Sequence, residues 1–211
     1  LKFMISMEGK SMRDELLEYF DFDKFTPTNS SFNQRRAQIL PEAFEFLFHE
    51  FTNCFCKKDA CYKGFRLIAC DGSSLDISHN PADKTTYFQS SPDVKGFNQL
   101  HLNALYDLCQ RTYVDAEIQP GRQKNEDSAM CHMVDRYDGE KAIFIADRNY
   151  ESYNIFAHVE QKGMYYLIRV KDIKSSGMLS GMKLPDIDSF DTEKTFILTR
   201  KQTNAVKAEK E

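Results

Sequence analysis

The 211 residues are 41% hydrophobic and 13% aromatic, with six prolines and nine glycines, enough to bury at least one core in one or two domains. No apolar run approaches the roughly 20 residues that cross a bilayer, and Leu1-Lys2-Phe3-Met4 lacks a signal-peptide layout. These features argue against membrane and secreted classes and predict a cytoplasmic protein. The formal net charge of −4 lacks the basic excess usual in nucleic-acid-binding domains, so a DNA role must rest on a local site.

The first 62 residues read as a helical domain. Met12, Leu16, Leu17, Tyr19 and Phe20 make one amphipathic stripe, ended by a turn over Phe22–Pro27. Thr28, Asn29 or Ser30 can cap a second short helix carrying Gln34, Arg35, Arg36 and Gln38. Pro41 suits the first position of a third, aromatic helix through Phe44, Phe46, Leu47, Phe48 and Phe51. Arg35 and Arg36 make this a candidate DNA-binding head. A packing bundle with two solvated arginines explains the pattern equally well.

Cys54, Cys56 and Cys61 cluster, but C-x-C-x4-C lacks the paired C-x2-C units of a zinc site. Reduced thiols are expected for them and for Cys70, Cys109 and Cys131. Cys131-His132 has no partners at ligand spacing.

From about residue 63 to residue 171 the pattern becomes α/β. Phe65–Cys70 reads as a strand running into Asp71-Gly72-Ser73. Ser78–Gly96 is expected to be a long polar loop. Gln99–Asp107 and Thr112–Ile118 alternate, with Cys109-Gln110-Arg111 as the connection, and predict a hairpin. The apolar side of its first strand would be Leu100, Leu102, Ala104 and Tyr106. Asn125 caps a helix with Met130, Met133, Val134 and Tyr137 inward. Ala142–Ala146 is a continuous apolar run, the mark of a central strand covered on both faces, and it ends in Asp147. Ser152 caps another helix, Gly163 closes it, and Met164–Val170 is a further strand. After Lys171, segments such as Thr195–Thr199 suggest that residues 172–211 begin a β-rich insertion.

Asp71 and Asp147 each follow an apolar strand. If those strands are parallel neighbours, both carboxylates emerge at one sheet edge, where open α/β sheets place their chemistry. Paired hard carboxylates suit Mg²⁺ or Mn²⁺; two such ions can activate a water or 3′-hydroxyl and stabilise a leaving oxygen. Asp76 is a rival partner for Asp71, but five residues along a strand turns it to the other face. An aspartate after a strand is also ordinary turn chemistry, so these residues alone leave both readings open.

Three segments narrow the choice. Asp71-Gly72-Ser73-Ser74-Leu75, the strand from Gly96 to Asp107, and Ala146-Asp147-Arg148-Asn149-Tyr150-Glu151-Ser152 together resemble bacterial insertion-sequence transposases of the DDE type. The last is similar to that family's Asp-Arg-Gly-Tyr-x-Ser motif, with Asn149 in the glycine's place; asparagine tolerates a left-handed backbone. The likeness runs from about Asn29 to Arg200. It implies an RNase H-like core with a mixed five-stranded sheet and flanking helices, following the helical domain and preceding the inserted subdomain.

The resemblance implies that Asp71 and Asp147 are catalytic and hold two Mg²⁺ or Mn²⁺ ions in the complete enzyme. That enzyme nicks double-stranded DNA at the element's ends, then joins the freed 3′-hydroxyl to target DNA. Arg148 and Tyr150 would contact the backbone or a base, and Lys95 would steer phosphate. His101, on a strand face, is expected to be a satisfied hydrogen-bonder. A homodimer on DNA, at the nucleoid, is the expected assembly.

The family's third carboxylate lies in a Tyr-x2-Arg-x3-Glu-x6-Lys motif, which does not occur between Lys171 and Glu211. Glu160, Glu193 and Glu209 are poor substitutes. With the opening on Leu1, this predicts an N-terminal fragment that is inactive alone. The alternatives are a catalytically dead DNA-binding remnant and a cellular RNase H-like nuclease, which needs neither the helical head nor an insertion.

Overall fold

The computed structural model describes residues 1–55, 61–172, 174–175, 177–180, 182–185, 187 and 189–193. Cys56, Thr195–Thr199 and Glu209 lie outside the described residues. The chain divides into two compact units, Leu1–Lys171 and Asp172–Glu211. The described residues of the second unit contain no strand.

The first unit opens with four helices: α1 (Lys2–Ile5), α2 (Met12–Tyr19), α3 (Asn29–Arg36) and α4 (Glu42–Phe55). Local signals set their ends. Ser11 accepts the Asp14 N–H at the start of α2, and Thr28 accepts the Ser31 N–H at the start of α3. Phe3 is buried edge-on against Tyr19 and Phe32, at centroid distances of 5.1 and 4.8 Å, and so gathers the first three helices. α3 buries nothing, which leaves Arg35 and Arg36 exposed. α4 meets the sheet through buried Thr52, whose hydroxyl donates to the Tyr113 carbonyl at 3.1 Å.

The sheet contains β1 (Arg66–Ile77), β2 (Tyr87–Phe88), β3 (Phe97–Asp107), β4 (Thr112–Pro120), β5 (Ala142–Ala146) and β6 (Tyr165–Ile168). Its main path is β2-β3-β1-β5-β6, with β4 also paired to β3. β1 is antiparallel to β3 and parallel to β5, and β6 is parallel to β5. Two helices, α5 (Glu126–Arg136) and α6 (Tyr153–Gln161), supply the crossovers between the parallel strands. Their inward residues, including Met130, Met133, Val134, Ile155 and Val159, pack on Ile68, Leu105 and Phe144 as the main core.

Several sequence expectations need correction. β1 does not stop before Asp71; it runs to Ile77, because pairing with β3 continues as far as Ile77↔Asn98. Nor is the Ser78–Gly96 segment a plain loop. It contains β2, and the buried Asn98 side chain binds it by accepting the Asn80 N–H and donating to the Asn80 carbonyl and Thr86 hydroxyl.

In β3 the side buried under α5 is the polar one, with His101, Asn103 and Asp107, while Leu100, Leu102, Ala104 and Tyr106 are only half-buried. Alternation located two faces correctly, but polarity chose the wrong one. β5 likewise buries Ala142, Phe144 and Ala146 and leaves Ile143 and Ile145 half-buried. Ser152 occupies the cap position of α6 without a side-chain cap hydrogen bond.

Candidate nucleic-acid-processing site

Asp71 and Asp147 come together through the register of two parallel strands. Ala69 pairs with Ile145; Asp71 stands two residues further along β1, and Asp147 two residues after Ile145, just past the end of β5. Counting by twos also sets direction. Ile68, Cys70, Phe144 and Ala146 point into the helix-covered core, so Asp71 and Asp147 turn to the opposite face, and both are exposed.

Each carboxylate is held through one oxygen. Asp71 Oδ1 accepts the Gly72 N–H at 2.8 Å. Asp147 Oδ1 accepts the Asn149 N–H at 2.8 Å and caps the single 3-10 turn Arg148–Tyr150. Asn149, in the middle of that turn, has an ordinary negative φ, so the turn does not call on the left-handed tolerance of asparagine. The second oxygen of each group is left available, and two hard oxygen donors at one sheet edge fit Mg²⁺ or Mn²⁺ as part of a ligand set. They are not a full set: among the described residues no three His, Cys, Asp or Glu side chains are grouped to hold a metal ion.

The remaining candidates separate. Arg148 is exposed beside Asp147 and has no ion-pair partner among the described residues. Lys95 is exposed on the segment before β3, and Arg35 and Arg36 lie on α3. Asp76 faces away from Asp71 and accepts from Gln99 Nε2 at 2.8 Å. Glu160 accepts the Tyr166 hydroxyl at 3.1 Å, on α6.

Tyr150 corrects the expectation of a DNA contact. Only 2% exposed, it belongs to the core and offers no surface to a phosphate. The polar ending of the turn hides this, because tyrosine at a strand end serves packing and recognition equally well. His101 is another correction. It is buried and makes an ion-pair contact with Glu126 at 3.0 Å, but neither ring nitrogen makes a well-formed hydrogen bond among the described residues. Glu126 read from sequence only as a first-turn acid; its closeness to His101 depends on where α5 crosses β3, which no local pattern encodes.

A mixed sheet in the order β4-β3-β1-β5-β6, with crossover helices between its parallel strands, defines an RNase H-like α/β domain. Residues 62–210 match the transposase DDE domain, and the chain belongs to that family. Its class is therefore that of the transposases, enzymes of DNA transposition whose partner is DNA and which generally use divalent metals. No curated protein matches the chain.

Proposed function

We propose that the chain supplies two of the carboxylates of a metal-dependent DNA transposase, Asp71 and Asp147, with Mg²⁺ or Mn²⁺ as the ions. The observation that carries this reading is that both aspartates stand two residues past the Ala69↔Ile145 pair of adjacent parallel strands. When bound, the ions would supply Lewis-acid activation of a water or 3′-hydroxyl and stabilise the leaving oxygen. Asp71, clamped in mid-strand, and Asp147, at the head of a turn, would hold them through the oxygens not used for backbone hydrogen bonds. Arg148 would bind a phosphate next to the cut.

Residues 1–62 form, in this reading, a helical domain that adds DNA contacts through Arg35 and Arg36, with Lys95 contributing from the segment before β3. Residues 63–171 are the catalytic core and residues 172–211 the start of an insertion. The third carboxylate lies outside these 211 residues, and the reaction takes place on a pair of chains bridging two DNA ends at the bacterial nucleoid.

The test is a Mn²⁺ titration followed by paramagnetic broadening of backbone amide signals. Broadening is expected around residues 71 and 147, and to disappear in Asp71→Asn or Asp147→Asn. Broadening that ignores both substitutions would remove the pair from the chemistry. In parallel, the product of the whole gene should nick supercoiled plasmid in Mn²⁺, and Asp147→Ala should abolish the nicking.

A further inference from the structure

Behind the acidic pair, on the side packed by α5, lie polar side chains that take no part in holding the ions. Tyr150, His101 and Asn103 are all more than nine-tenths buried. The Tyr150 hydroxyl, both His101 ring nitrogens and Asn103 Oδ1 make no well-formed hydrogen bond among the described residues. Buried polar atoms are nearly always satisfied, so these call for an explanation.

Their placement supplies one, because they converge on the residues either side of Asp71. Tyr150 and Cys70 belong to the same buried cluster, and the phenol beside it draws the Cys70 thiol's pKa down against the effect of burial. Gly72 is pressed from the same side: a Cβ there would stand 2.6 Å from His101 Nε2 and 3.3 Å from Asn103 Oδ1. Glu126, 3.0 Å from His101, closes the group from the first turn of α5. Tyr150 also ends the turn that Asp147 begins, donating its N–H to the Asp147 carbonyl at 3.2 Å.

We propose that Tyr150 is a positioning residue, joining the turn after Asp147 to the strand position before Asp71 while His101 and Asn103 fix the position after it. Through this contact the two carboxylates keep one separation across β1 and β5. The inference rests on the cation-site reading of that pair. The converging polar atoms are also the right complement for a buried water, which usually makes about three hydrogen bonds.

The experiment uses the full chain and Mn²⁺ alone. Tyr150→Phe keeps the ring and removes only a hydroxyl that makes no well-formed bond, so the melting temperature should stay at the wild-type value. The Mn²⁺ dissociation constant, read from broadening at residues 71 and 147, should rise about tenfold, the scale of losing an outer-shell partner. Cys70→Ala removes the same contact from the β1 side and should do likewise. Wild-type affinity in a folded Tyr150→Phe or Cys70→Ala protein overturns the inference, even where Asp71→Asn abolishes binding. Binding that Asp71→Asn leaves untouched overturns the cation-site reading, and the inference with it.

Discussion

Arg66 and Asp107 form a buried ion pair at the start of β1, on the strand that carries Asp71 five residues later. Asp107 also accepts the Cys109 and Gln110 N–H groups at 2.8 and 2.9 Å, so one carboxylate closes the β3–β4 turn and anchors β1. Removing one partner leaves the other charge buried. Asp107→Ala should cost about 3–5 kcal/mol, read as a lower urea midpoint.

Asp147→Asn separates chemistry from folding. Asparagine caps a turn as well as aspartate does, so the urea midpoint should hardly move. Divalent binding should fall by more than the roughly 10–100-fold typical of an outer-shell change. Equal Mn²⁺ affinities in the two proteins would contradict the assignment.

Two glycines are required for different reasons. At Gly121 a Cβ would lie 2.6 Å from the Gln99 carbonyl oxygen and 2.9 Å from the Phe88 ring, and backbone cannot swing aside. Gly121→Ala should destabilise the unit by about 1–3 kcal/mol, as overpacking does. Gly163, by contrast, has open space around it but φ +66°. Its replacement by alanine is penalised by backbone conformation alone, by about 1 kcal/mol. Denaturant titration of both variants should rank them in that order.

Alkaline pH should weaken the fold. Burial pushes the Cys70 thiol up to about 12, against an opposing effect from Tyr150, and pushes Cys131 up to about 11, helped by Asp135 and Asp127. Burial raises the Tyr150 phenol as well. Each folded pKa lies above its unfolded value, so the stability these groups contribute is fully present below pH 9. It is lost as pH rises towards 11 and 12. Urea midpoints should therefore fall across that range. At pH 8, exposed Cys54 and Cys61 should react with a thiol reagent, and Cys70 and Cys131 only on unfolding.

DNA binding through α3 is checked by salt. Arg35→Ala with Arg36→Ala should lower affinity for duplex DNA and reduce the slope of log K against log salt by nearly two, at roughly 0.9 per phosphate contact. An unchanged slope would confine the DNA contacts to the sheet edge.

Much of this was legible without coordinates. The order of strands and crossovers and the cap at Asn125 followed from periodicity and turn residues, whereas Thr28 was one of three candidate caps and a shared edge for Asp71 and Asp147 was conditional on parallel neighbouring strands. What stayed hidden depends on contacts between distant segments. Alternation in β3 cannot say which side α5 covers, and on the covered side His101 meets Glu126 from the first turn of that helix. Hydropathy assigns tyrosine to either a surface or a core, so the burial of Tyr150 was not readable from its motif. β2 is only two residues long, too short for any period to register.

β1 continues for six residues beyond Asp71, paired to β3 the whole way, whereas β5 stops at the residue before Asp147. The two acids are therefore mounted with unequal stiffness. Any adjustment of their spacing when an ion or a phosphate enters has to be made by the turn from Asp147 to Tyr150, with the other strand serving as the fixed reference.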